Sequence, residues 1–365
     1  MKKSINKTLV YEVNPLPDSL LNFVVNFGKL EDEDEMKYIK EIIYDSMHKI
    51  YIKNTKIERY NIDKKEEYIN KEEVDEDFKK LHCLAKDLLV NAHNFIRKKN
   101  DISSVSLREI RRFNIFYEFF FDYLMKKKTI DFEQLENKQL EEEFKLYKNS
   151  NEYELQKYSI ILSVFICYYL RLTDNKIRNE FVMESNFILK NFDKSSQDFL
   201  YIPNKETNYI IKNIDLPRGI AKNKSLLNSI FSLFISINNK VPIFIIGKPG
   251  CGKSLSVQLI NKSMKGINSN SILFKKYPEL ILHSYQGSMV CTSTEVTKLF
   301  QKAKGTLKRL NSEEKNKNIS VIIFDNIELG EVSLNNPLNT IHSELEYDLI
   351  EDDKKVAFVG KSNCS

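Results

Sequence analysis

The chain has 365 residues, 42% hydrophobic and 29% charged, a balance that excludes a disordered polypeptide and leaves room for two or three domains with ample core. Lys and Arg number 56 against 51 Asp and Glu, for a net charge of +5. The basic excess is spread thin, so nucleic acid is not an expected partner despite a pI near 8.6 and the run Lys126-Lys127-Lys128. The five cysteines, Cys83, Cys167, Cys251, Cys291 and Cys364, lie far apart without C-x-x-C spacing, which argues against a zinc site or a disulfide framework and for a reduced, cytoplasmic compartment.

The basic start Met1 to Thr8 is followed by no apolar h-region, so no secretory signal is expected. From Pro15 to about Phe192 apolar residues recur at three- and four-residue spacing, with few Gly or Pro, which predicts an all-α region. One helix begins at Asp18-Ser19-Leu20-Leu21, one runs Glu33 to Tyr51, and one Asp75 to Lys99. In the last, Leu81, Leu84, Ala85, Leu88, Leu89, Ala92, Phe95 and Ile96 form one face. Another starts in Ser104 to Glu109, where a serine with an acid three positions on reads as a capping box. Glu136 to Asn149 is charged nearly all round, and Glu152 to Leu172 is apolar enough to be buried. Neither Tyr158 to Leu172 nor Leu226 to Ile246 is expected to span a membrane. The first is too short for a hydrocarbon core of ~30 Å, and the second is broken by Asn238-Asn239-Lys240.

Asp193 to Asn213 is polar and turn-prone and reads as a domain boundary, after which β-rich runs alternate with helical ones. The predicted order is strand Pro242 to Ile246, helix Ser254 to Met264, strand Leu280 to Tyr285, helix Ser293 to Leu310, strand Ile319 to Phe324, helix Leu338 to Leu349 and strand Val356 to Val359. Such alternation predicts an α/β fold with a parallel sheet that binds ligand at the carboxyl ends of its strands.

The run Gly247-Lys248-Pro249-Gly250-Cys251-Gly252-Lys253-Ser254 fits the phosphate-loop pattern G-x-x-x-x-G-K-[ST], and it sits between a predicted strand and a predicted helix. The glycines let the backbone wrap a phosphate and turn its N–H groups inward. Lys253 supplies a point charge, and the Ser254 hydroxyl is an expected Mg²⁺ ligand. Leu255 continues the helix whose N-terminus faces the anion. The strand ending at Asp325 supplies a second expected Mg²⁺ ligand. In many ATPases of this type a glutamate follows that acid to polarise the attacking water, whereas Asn326 stands here. An amide orients water without taking up its proton, so hydrolysis is expected to fall by orders of magnitude while binding survives. Glu328 and Glu331 are the nearby candidates for a substitute base. Asn363, just past the last predicted strand, is the candidate for sensing the γ-phosphate.

These segments, with His283 to Ser288, Phe324 to Glu331, Pro337 to His342 and Val359 to Asn363, resemble in order an AAA+ module of the mysterin family of giant RING-finger AAA+ ubiquitin ligases. Leu216 to Asn223 resembles the segment that precedes the phosphate loop in that family, which implies that Ile220 and Ala221 lie near an adenine. Asn14 to Leu20, Asn94 to Arg97, Ser104 to Arg112 and Cys167 to Leu172 resemble the helical lid of a preceding module, with Arg108 or Arg111 as a second sensor arginine. The resemblance implies a fragment with a lid and linker over residues 1–205 and a P-loop AAA+ core over 206–365, truncated before its own lid. The implied cofactors are ATP and Mg²⁺, and the implied partners are neighbouring AAA+ modules and protein substrates. A nucleotide-dependent scaffold that binds without cleaving is the alternative, with Asn326 as its signature, and an AAA+ protein acting on nucleic acid, motivated by the pI and the run Lys126 to Lys128, is the lesser one. No RING finger accompanies these residues.

Overall fold

The structure, a computed structural model, describes residues 32–54, 75–99, 105–129, 145–310, 317–331, 333, 337–347 and 356–363. The helix expected at Asp18 lies outside them, as does most of the charged stretch expected over 136–149. By contacts the chain groups into residues 1–38 and residues 39–365; the first described helix begins in the former, and all else below concerns the latter.

Helix α1 spans Asp32–Asn54 and α2 spans Glu76–Lys99, with acids in the first turn of α2 and Arg97, Lys98 and Lys99 in its last, as the helix dipole favours. All eight residues expected on one face of α2 are buried. Helix α3, Leu107–Lys128, opens on the expected capping box. The Ser106 N–H donates to Glu109 Oε2 at 2.8 Å, and the Ser106 hydroxyl accepts from backbone N–H groups of the first turn. Helix α4, Glu152–Cys167, is buried from Leu155 to its end. Because it has no wet face, its serines turn inward to their own backbone: Ser159 donates to Leu155 O and Ser163 to Ser159 O, both at 2.7 Å. Helix α5 follows at Asn175–Phe192.

Residues 193–213 differ from the turn-prone reading, since helix α6 occupies Tyr201–Lys212 with Ile202, Pro203, Tyr209, Ile210 and Ile211 buried. Pro203 is compatible because it sits in the first turn, where its missing N–H leaves no intrahelical bond unmade. Helix α7, Lys224–Asn238, is capped by Asn223, whose side chain accepts from the Leu226 N–H at 2.8 Å.

The sheet that follows is entirely parallel, in the order β1-β4-β3-β2, with β1 Ile243–Gly247, β2 Glu279–Gln286, β3 Asn318–Asp325 and β4 Ala357–Asn363. Its connections carry α8 (Lys253–Ser263), the one-turn α9 (Ile272–Lys275), α10 (Ser293–Arg309), α11 (Ile327–Glu331) and α12 (Pro337–Tyr347). Alternation sorts the two faces. Val321, Ile323, Ala357 and Val359 join the core shared with α7 and α8, whereas Ile322, Phe324, Val356 and Phe358 pack with Phe300 and Ile341 of α10 and α12. This is an α/β AAA+-type core with a helical region before it.

The core of the first face runs on into the helices without a break. Phe231 of α7 stacks on Phe120 of α3 at 6.1 Å between centroids and meets Phe165 of α4 edge-on at 5.8 Å. Among the described residues no helix is long and apolar enough to cross a membrane.

Candidate functional site

The carboxyl ends of β1, β3 and β4 converge, and parallel pairing fixes how. Gly247 is registered with Asn363 and Gln286 with Asp325, so the phosphate loop, the strand-end acid and the sensor candidate share one rim. In the loop, Gly250 at φ +81° and Gly252 at φ +92° lie in the left-handed region, which a Cβ would strain. Gly252 gives no side-chain cap to α8, so the first N–H groups of α8 can serve an anion instead. The Lys253 ammonium lies back along the loop, donating to Gly247 O at 2.5 Å and Lys248 O at 3.0 Å. Cys251 folds inward, its sulfur 2.8 Å from where a Cβ on Gly247 would stand. Pro249 and Leu255 bracket this turn within the loop and α8. Ile220 packs against the core and Ala221 is exposed. Both precede α7, whose Leu226 lies 3.4 Å from the Cβ position of Gly252.

Strand β4 is longer than expected. Lys361 to Asn363 were expected just past the strand, yet they continue the ladder with β1. Lys361 is therefore a strand residue on the same face as Ala357, Val359 and Asn363, the face that carries α8. Its buried ammonium donates to Asp325 Oδ2 at 2.6 Å and to Ser254 Oγ at 3.1 Å. The sequence reading missed this residue. Period-two alternation back from Asn363 was the signal that could have found it.

Ser254 and Asp325, the two expected magnesium ligands, are thus joined by a lysine. The other Asp325 oxygen accepts the Asn326 N–H at 3.0 Å. A divalent ion set 4 Å from that ammonium would be repelled by about 8 kcal/mol at an effective dielectric of 20. As arranged, this pair of oxygens does not fit magnesium.

Asn326 has φ +49°, a left-handed conformation that Asn adopts far more readily than Glu, so backbone shape as well as chemistry suits an amide here. The approach of β2 holds this turn. Gly287 N–H donates to Asp325 O at 2.8 Å, and a Cβ at Gly287 would stand 2.4 Å from Asn326 O. Asn363 Nδ2 donates to Asn326 Oδ1 at 3.0 Å and to Glu328 Oε1 at 3.1 Å, and the Asn363 N–H donates to Glu328 Oε1 at 3.2 Å. The Asn363 side-chain amide is thereby engaged within the protein. Burial pushes the Glu328 carboxyl up, but its own backbone N–H and the donors on Asn363 and Ser362 outweigh that and hold it below its ordinary value, which makes it a weaker base. Glu331 ends α11.

Arg108 and Arg111 are exposed near the start of α3, whereas Arg112 and Arg171 reach the buried carboxylate of Glu109 between them at 3.5 and 3.2 Å. In the basic run only Lys126 is exposed. Lys127 is buried in an ion pair with Glu206, which takes away the middle of the stripe that a nucleic acid would need.

Residues 219–365 match the family described as RNF213 AAA domain. The E3 ubiquitin-protein ligase RNF213 of Homo sapiens is 28% identical over 362 residues, which cover 98% of this chain and 6% of that protein. The Mus musculus RNF213 is 28% identical over 366 residues and the Danio rerio rnf213-beta 28% over 377, each with the same two coverages. The chain therefore spans about 6% of the length of these curated relatives.

Proposed function

The chain belongs to the mysterin (RNF213) family through its AAA domain, and from that premise we propose that it binds ATP at the phosphate loop and holds it with little turnover, as a nucleotide-dependent scaffold. The observation that carries this reading is the shared rim of Gly247 to Ser254, Asp325 and Asn363 at the carboxyl ends of three parallel strands. Low turnover follows from the base position. Asn326 takes up no proton, and Glu328 is held by Asn363. In this reading residues 1–205 are the lid and linker of one module and 206–365 the core of the next. Ile220 and Ala221 flank the adenine, and Arg108 or Arg111 serves the nucleotide of the preceding module. A neighbouring module would have to lend an arginine for fast cleavage, an effect of about 10³ to 10⁵ in related phosphoryl transfer. Motor action on protein substrates is the larger reading that such neighbours would complete. Ubiquitin transfer is named for the relatives and is assigned to none of these residues.

Calorimetry with ATP on the 365-residue chain, alongside phosphate release, tests the proposal. We expect micromolar uptake, phosphate release at background, and uptake weakened about 10- to 100-fold by Lys253→Ala, the loss of a charge-assisted contact. Uptake that is indifferent to Lys253→Ala refutes a phosphate-loop site.

A further inference from the structure

The fixed ammonium between Ser254 and Asp325 has a functional meaning of its own. We propose that Lys361 is the resident cation of the nucleotide site, so that the chain takes up ATP free of magnesium, its phosphates compensated by Lys253 from the loop and by Lys361 from β4. The inference deepens the ATP-binding reading and rests on it.

Three observations carry it. The first is position: Lys361 links one oxygen from the phosphate-loop helix to one from the end of β3, at 3.1 and 2.6 Å. These are the two groups that phosphate-loop chemistry assigns to magnesium. The second is commitment. Lys361 is 6% exposed, and its strand face is apolar below it, with Ala357 and Val359 in the core. If the ammonium withdrew, Asp325 would keep the Asn326 N–H as its protein donor among the described residues, and the lysine head would be drawn back over an apolar strand face. The third is chemistry. An ammonium brings three donors and one positive charge, which suits phosphate oxygens as well as a carboxylate. It does not gather oxygens into the octahedron that magnesium demands.

The test titrates ATP into the full chain by calorimetry in MgCl₂ and again in EDTA, for the wild type and for Lys361→Met. The wild type is expected to bind within about threefold in the two buffers. Lys361→Met, which frees Ser254 and Asp325 while keeping a side chain of similar length, is expected to bind at least about tenfold more tightly with magnesium than without it. Thermal melts establish that the variant is folded, and the wild-type comparison decides the matter without it. Wild-type uptake that disappears in EDTA overturns this inference and leaves the ATP-binding reading standing. Magnesium-indifferent uptake by both proteins overturns the assignment to Lys361. Absence of uptake in both buffers overturns the inference together with the ATP-binding reading.

Discussion

Removing Lys127 should destabilise the chain far more than removing an ordinary lysine, and removing its partner as well should restore much of the loss. The Lys127 ammonium, on α3, lies 2.5 Å from Glu206 Oε2 on α6, with side-chain exposures of 5% and 0%. The second Glu206 oxygen accepts the Tyr147 hydroxyl. The ammonium also stands 3.6 Å from the ring centroid of Tyr209, 4.6 Å from Tyr123 and 5.2 Å from Tyr147. Burial, and then the Glu206 charge, push the Tyr123 and Tyr147 hydroxyls well above their ordinary value, so both stand beside the pair as neutral phenols. Lys127→Met leaves a buried carboxylate with neutral tyrosine donors in place of its cation, and Glu206→Leu leaves a buried ammonium among rings. Each should cost about 3 to 5 kcal/mol. The double variant strands neither charge and should cost at least about 2 kcal/mol less than the sum of the singles. Urea denaturation of the four proteins at pH 7 supplies the cycle. Single losses below about 1 kcal/mol, or a double variant equal to the sum, would refute the claim that the two charges depend on each other.

Gly287→Ala should weaken ATP binding about tenfold, because its Cβ would press on the Asp325 and Asn326 carbonyls at 3.0 and 2.4 Å, backbone atoms that yield only if the turn moves. Unchanged affinity by calorimetry would contradict that account. Glu109→Gln should cost about 2 kcal/mol at pH 7, since the buried carboxylate serves the α3 cap and two arginines. Burial raises the Glu109 carboxyl, but the Ser106 N–H, Arg171 and Arg112 outweigh it and hold it below 4.5. A depressed carboxyl stabilises the fold above its unfolded value and loses that contribution as pH falls through its folded one. The gap between wild type and variant should therefore stay constant from about pH 7 to 5 and close below about 4.5, and a gap that widens in acid would refute it.

The motif-bearing half was legible in the sequence because its signals are local. The β-branched run Ile319 to Phe324 could only be a buried strand, and the glycines at 250 and 252 have the backbone angles their spacing implies. The capping box at Ser106 and Glu109 and the apolar face of α2 were legible for the same reason. What escaped depends on distant partners. Helix α6 was masked by Asn, Pro and Thr, and packing against α4 and α7, with the ion pair to Lys127 of α3, selects helix over turn there. Gly360 to Asn363 have turn-like side chains, and it is the β1 edge that keeps them extended. The role of Lys361 was hidden because its two partners stand 107 and 36 residues away in the chain.

Helix α7 touches both worlds at once. Its first turn, at Leu226, rests against Gly252 of the phosphate loop, and one and two turns further on Phe231 and Phe234 are wedged among the rings of Phe120, Phe165 and Phe119. A close-packed aromatic joint transmits a tilt rather than absorbing it. Helix α7 thus has the phosphate loop at one end and the rings of the helical region along its length, so a tilt of α7 would be felt at both.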